Sequence, residues 1–167
     1  MHEIDDVRFG VITISTSRWK RYGYVRGVDF IPMDDESGRF LVDELNARDY
    51  MLIPDDILTI VESVLSMLKD VDVLVTTGGT GISPEDLTIE AVKPLVDREI
   101  EGFGEIFRWL SYQDVGERAI LTRTFAGVID EKVVFCLPGS LNAVKLGVKI
   151  IKSQVKHILI HLREKQQ

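Results

Sequence analysis

The sequence predicts a three-layer α/β fold: a mostly parallel sheet with one antiparallel strand and helices on both faces. Three observations carry this. Short β-branched runs of strand length, Val71 to Val75 among them, alternate with longer stretches of helical spacing, the pattern of a parallel sheet whose connections cross its faces. Two late extended runs separated by Ile129-Asp130-Glu131 read as a hairpin, which supplies the antiparallel member. The composition, 45% hydrophobic and 28% charged over 167 residues, suits one domain spanning residues 1–167, with a core that needs neither disulfide nor metal.

Arg8 to Ser15 reads as the first strand, with Phe9, Val11, Ile12 and Ile14 apolar and Ser15-Thr16-Ser17 opening a loop. Arg18 to Met33 reads as a long loop in which Arg18, Lys20, Arg21 and Arg26 are interleaved with Trp19, Tyr22 and Tyr24. Two readings of it stand: a solvated insertion, or a lid whose cations meet phosphate and whose rings stack on a base. Asp34 to Gly38 lead into a helix over Arg39 to Arg48, with acids at the end where they oppose the helix dipole. Tyr50 to Ile53 is a short second strand punctuated by Pro54-Asp55-Asp56. A helix over Ile57 to Lys69 follows, with Leu58, Val61, Val64, Leu65 and Leu68 as its expected apolar face. The strand at Val71 then runs into Gly78, Gly79 and Gly81, so the first half is β-α-β-α-β.

Beyond Asp86, Thr88 to Val96 has helical spacing, and Glu101 to Glu105 turns into a helix reaching Ser111 with Phe107, Trp109 and Leu110 to bury. Ala119 to Val128 and Lys132 to Leu137 read as extended. Pro138-Gly139-Ser140 ends the last strand and starts a long amphipathic helix over Asn142 to Leu162. The Lys165-Gln166-Gln167 tail is expected to fray.

A net charge of −7 excludes general attraction to nucleic acid or an acidic membrane, so an anionic substrate must meet a local cationic site. Cys136 is the only cysteine, which excludes an internal disulfide and a cysteine-rich zinc site; on an apolar strand it reads as a packed thiol. Met1 to Val7 carries acids and no apolar signal core, and no run approaches the roughly 18 apolar residues of a membrane span. A cytoplasmic protein is expected. His157 and His161 share a helix face but lack the glutamate a zinc hydrolase places between them, and read as surface residues.

The stretch most like a site is Val71 to Thr88. Its glycines permit positive φ and remove the Cβ that would hold a ligand away from backbone N–H groups, so the turn can cradle an anion. It lacks the Lys-Ser or Lys-Thr pair of a Walker A loop and the spacing of a dinucleotide fingerprint. Asp86 adds a carboxylate beside that cradle, and a carboxylate near phosphate implies a metal ion between them. In an open α/β sheet the loops at the carboxyl ends of strands gather at one edge, which would collect residues 15–17, Asp55, Gly78 to Asp86 and Pro138 to Ser140. Asp55 also has a plain reading as the start of a helix.

These residues resemble a known family. Thr77-Gly78-Gly79-Thr80-Gly81 with Pro84, Asp86 and Thr88, then Asp97 to Glu105, and Leu137-Pro138-Gly139-Ser140 resemble the MoaB/MogA family of molybdenum cofactor biosynthesis, relatives of the gephyrin and plant G domains. The resemblance runs from Arg8 to Leu162, and the segments at Asp34 to Gly38 and Glu101 to Glu105 look more like its MoaB branch. It implies a molybdopterin adenylyltransferase, in which, with Mg2+, the terminal phosphate of molybdopterin attacks the α-phosphate of ATP to give adenylylated molybdopterin and pyrophosphate. It implies Asp55 and Asp86 as catalytic residues, with Asp86 a metal ligand. Ser37, Gly38, Gly78, Gly79, Thr80, Gly81, Thr122, Pro138, Gly139 and Ser140 would line the pterin and nucleotide pocket, in a homo-oligomer, trimer or hexamer. The chain departs from G-domain relatives at Glu85, Glu101 and Cys136, where they carry Arg, Pro and Asn. A second class stays open, a non-catalytic molybdopterin carrier of the same fold, and retention of both aspartates favours the enzyme.

Overall fold

The computed structural model describes residues 6–164. Seven strands form one sheet: β1 (Phe9–Ile14), β2 (Val25–Arg26), β3 (Asp49–Ile53), β4 (Val73–Thr77), β5 (Arg98–Glu99), β6 (Phe125–Ile129) and β7 (Lys132–Leu137). Their order is β2-β3-β1-β4-β7-β6-β5. The central four, β3, β1, β4 and β7, are parallel. The expected antiparallel strand is β6, hairpinned to β7 through Asp130 and Glu131, both at positive φ. The short edge strand β2 also runs antiparallel to its neighbour.

The described residues form six α-helices, α1 (Thr16–Tyr22), α2 (Glu36–Leu45), α3 (Ile57–Leu68), α4 (Thr88–Val92), α5 (Glu101–Val115) and α6 (Leu141–Arg163), of which all but α1 bury residues. The side-chain period of two splits the central strands cleanly. Val11, Tyr50, Leu52, Val73, Val75, Phe135 and Leu137 face α2, α5 and α6, while Ile12, Ile53, Leu74, Val134 and Cys136 face α3 and α4. Cys136 is the packed thiol expected, and burial pushes it up to about 12. Among the described residues no helix is long and apolar enough to cross a membrane. The expected frayed tail lies outside the described residues, as do Met1 to Asp5.

Several local expectations are corrected. Arg18 to Met33 is not a long loop: Ser15 accepts from the Arg18 N–H at 3.3 Å and starts α1, Gly23 at φ 73° ends it, and β2 and a 3-10 turn at Val28–Phe30 follow. Three of its four cations are engaged, Lys20 having no ion-pair partner among the described residues. Arg18 and Arg21 reach Asp34, and Arg26 reaches Asp49, so their charge is not free for phosphate. Helix α2 begins three residues earlier than expected because Asp35 caps it, accepting from the Gly38 N–H at 2.9 Å. The expected face of α3 is rotated: Ile60, Ser63, Val64, Met67 and Leu68 are buried, whereas Leu58 is 73% exposed and Leu65 42%. That helix is apolar on most sides, so spacing alone offers more than one stripe. Glu101 is already helical, and the run expected to be extended from Ala119 starts as a 3-10 turn, Gly116–Leu121, before β6.

Candidate functional site at the carboxyl edge of the sheet

Four parallel strands end at one edge, in Ile14, Ile53, Thr77 and Leu137. The connections that leave this edge lead into the N-termini of α1, α2, α3, α4 and α6, whose backbone N–H groups favour negative charge there.

The glycine loop is clamped from three sides. Gly78 has φ 100°, and a Cβ there would lie 2.3 Å from the Ile14 carbonyl oxygen. Gly79 has φ 71°, and its Cβ would fall 2.2 Å from Thr88 Oγ1. Only glycine fits either place. Thr88 Oγ1 donates to Gly78 O at 2.8 Å, the Thr88 N–H donates to Gly79 O at 3.1 Å, and the Gly78 N–H donates to Leu137 O at 3.0 Å. The N–H groups of Gly79, Thr80 and Gly81 have no acceptor among the described residues.

The second loop is tied to the first. Thr77 Oγ1 donates to Pro138 O at 2.9 Å, and a Cβ on Gly139 would touch Gly78 Cα at 3.5 Å. Ser37 Oγ donates to Gly139 O at 2.8 Å, so the first turn of α2 belongs to the same cradle. Beneath it Asp35 is buried, accepting from Thr13 Oγ1 at 2.7 Å, from the Tyr50 hydroxyl at 2.6 Å and from the Gly38 N–H. Burial, with the Asp35 carboxylate beside it, pushes the Tyr50 hydroxyl well above its ordinary range, so it stays a donor. A Cβ on Gly38 would lie 2.2 Å from Asp35 Oδ2, which is why glycine stands there.

The two aspartates flank the glycines. Asp55 does not cap α3; Asp56 does, accepting from the Thr59 N–H at 2.9 Å. Asp55 turns instead to Thr16, whose N–H and hydroxyl donate to its Oδ2 at 3.0 and 2.7 Å, while its Oδ1 lies 3.2 Å from where a Gly79 Cβ would be. Asp86 Oδ2 accepts from the Ser83 N–H at 3.0 Å and lies 2.6 Å from where a Gly81 Cβ would stand. Among the described residues neither carboxylate meets a Lys or Arg side chain, so no fixed cation occupies either. No three His, Cys, Asp or Glu side chains among the described residues group to hold a metal. One or two carboxylates beside a phosphate cradle suit a cation that brings most of its oxygen ligands with the nucleotide.

Ser37, Gly38, Gly78, Gly79, Thr80, Gly81, Pro138 and Gly139 are thus brought together with Asp55 and Asp86. Two expected residues stand apart from the cradle by their side chains. Ser140 Oγ caps α6, accepting from the Ala143 N–H at 3.2 Å. Thr122 Oγ1 accepts from the Thr124 N–H and lines a cleft of about 720 Å³ with Lys93, Arg108 and Arg123. Arg123 lines that cleft and none of Gly78, Gly79 and Gly81 does. Thr80 is buried, and its carbonyl accepts from the Arg123 N–H. The sequence analysis placed Thr16 at this edge and Thr88 in the glycine motif without giving either a role, and it missed Asp35 and Arg123 as parts of the site. A hydroxyl just past a strand end signals Thr16, and Thr88 stands in the motif itself, but nothing local marks Arg123.

The family described as "Probable molybdopterin binding domain" matches residues 10–157. A probable molybdopterin adenylyltransferase of Methanocaldococcus jannaschii is 44% identical over 98% of this chain and 99% of its own. The molybdopterin adenylyltransferase of Pyrococcus furiosus is 45% identical, with 94% of this chain and 92% of its own covered. The crystal structure of the tungsten cofactor synthesizing protein MoaB from Pyrococcus furiosus superposes with a TM-score of 0.82 at 44% identity, covering 97% of this chain and all of that one.

Proposed function

This chain belongs to the MoaB/MogA molybdopterin-binding family, and from that premise we propose that it adenylylates molybdopterin in molybdenum cofactor biosynthesis. The terminal phosphate of molybdopterin attacks the α-phosphorus of ATP, the bond to the β-phosphate oxygen breaks, and pyrophosphate leaves with that bond's electron pair.

What supports the enzyme over a carrier is the pair Asp55 and Asp86, two aspartates without a counter-ion on either side of a glycine cradle. The free N–H groups of Gly79, Thr80 and Gly81 bind phosphate oxygens and hold the reacting phosphates in place. The N-termini of α2, α3 and α6 add favourable potential for that charge. Asp86, with Asp55, would hold a magnesium ion on the nucleotide phosphates, where it would neutralise charge and favour pyrophosphate as the leaving group. Thr16 orients Asp55, and Ser37 fixes the second loop against the first.

Incubation with molybdopterin and magnesium ATP should yield adenylylated molybdopterin. Asp86→Asn keeps the shape and loses the charge, so it should bind molybdopterin while forming product about 100-fold more slowly. No wild-type product with magnesium or manganese would put the carrier reading first.

A homo-oligomer, trimer or hexamer, is part of the proposal. Phe103 and Phe107 of α5 are buried in the chain's own core, but Trp109 is 62% exposed and Ile120 78%, with Ile106, Tyr112 and Leu121 beside them in sequence. An apolar face of that kind favours self-association. Light scattering that finds a stable monomer at micromolar concentration would remove this part.

A further inference from the structure

The loop that carries Asp86 is nearly unsupported from within. Ile82, Ser83, Pro84 and Glu85 are exposed, and the turn's own bonds are Asp86 N–H to Ser83 O, Ser83 N–H to Asp86 Oδ2 and Glu85 N–H to Ser83 Oγ, at 2.9, 3.0 and 3.3 Å. A turn closed only on itself fixes the carboxylate relative to Ser83, not relative to the glycine cradle.

One side chain from a distant strand approach supplies the missing attachment. Arg123 lies just before β6, and its backbone N–H donates to Thr80 O at 2.9 Å. Its guanidinium grips both ends of the turn: Nε and Nη2 donate to Gly81 O at 2.9 and 2.7 Å, and Nη2 donates to Asp86 O at 3.3 Å. The remaining donor, Nη1, bonds Glu90 Oε1, and Nη2 also reaches Glu90 Oε2 at 3.3 Å. Glu90 sits on α4, in the helix that follows the turn, so the guanidinium plane is set from a regular element. The fork's donors are taken up by carbonyls and by Glu90, whose carboxylate balances the positive charge. Arg123 is therefore occupied as a bracket and is not presented to phosphate.

We propose that Arg123, held in plane by Glu90, is a positioning residue that fixes the Asp86 carboxylate against the glycine cradle. This rests on the reading of Asp86 as the residue that serves adenylyl transfer. A planar fork is required, because a lysine ammonium is a point charge and cannot span two carbonyls in fixed geometry. The device acts only through Asp86.

The test uses the full chain with molybdopterin and magnesium ATP, and compares Arg123→Lys, Glu90→Gln, Asp86→Asn and the double variant Arg123→Lys/Asp86→Asn. Arg123→Lys should lower kcat about 10- to 100-fold, as loss of an orienting partner does elsewhere, with the KM for molybdopterin within about twofold. Glu90→Gln, which keeps a hydrogen bond, should lose less. In the Asp86→Asn background Arg123→Lys should add less than twofold. Hydrogen exchange of the peptide spanning Gly81 to Asp86 should quicken in Arg123→Lys, with β4 unchanged. Full activity in Arg123→Lys, an additive double variant, or unchanged exchange in that peptide would each overturn the proposal. If the wild type forms no product, adenylyl transfer falls, and the exchange measurement alone then decides whether Arg123 holds the turn.

Discussion

At the amino ends of the central strands a carboxylate is ringed by cations; at their carboxyl ends two carboxylates are not. Asp72, just before β4, accepts from the Arg8 N–H, from Arg8 Nε and Nη2, and from Arg163 Nη2 at 2.7 Å. It joins the first strand to the last helix. Among the described residues Asp55 and Asp86 accept only from neutral groups, Thr16 and the Ser83 N–H. Asp72, satisfied by fixed cations, is a structural clip, and buried Asp35 is a structural support, whereas Asp55 and Asp86 are partly exposed and held by neutral donors, which leaves their field for something that arrives. The fold thus has one closed end and one open end.

The comparison breaks most visibly at Gly78. Gly78→Ala would drive a Cβ into the Ile14 carbonyl at φ 100°, so stability should fall by roughly 2–4 kcal/mol in denaturant titration, and product formation with it. A fully stable, active Gly78→Ala protein would mean that the open end is not so tightly built.

Exchanging Asp for Ala at the closed end should do the opposite of Asp86→Asn. Asp72→Ala removes several charge-assisted hydrogen bonds and should lower stability by about 2 kcal/mol while the folded fraction keeps full activity. An activity loss beyond the unfolded fraction would blur the distinction between the ends.

The closed end also predicts a pH response. Burial pushes the Asp72 carboxyl up, but hydrogen bonds from Arg8 and Arg163 outweigh this and hold it well below the usual carboxylate range. Below the unfolded-state value of about 3.9 the unfolded chain binds the proton first, so stability present above that pH is lost as pH falls. Acid titration of Asp72→Asn should show a shallower loss below about pH 4 than the wild type.

The smallest effect is the sharpest comparison, because the residues are neighbours. Asp56→Ala removes the cap of α3 and should lower the thermal midpoint slightly with product formation unchanged. Asp55→Asn should leave the midpoint nearly unchanged and impair transfer. Equal outcomes for the two would remove the assignment of Asp55.

The sequence alone determined the strands β1, β3, β4 and β7, the helices α2, α3 and α6 to within a few residues, and the gathering of Asp55, Gly78 to Asp86 and Pro138-Gly139 at one edge. Those features are legible because they arise from local causes: side-chain period, glycine and proline punctuation, and the rule that parallel strands open their loops at one end. What only tertiary structure decided depends on partners remote in the chain. Which side of α3 faces the sheet was settled by the surface it packs on, since its apolar residues offer more than one stripe. The arginines of α1 and β2 found Asp34 and Asp49 as partners, which no charge count could assign. Arg123 reached its turn across 42 residues of sequence separation from Gly81, a contact made by sheet assembly and invisible to any local pattern.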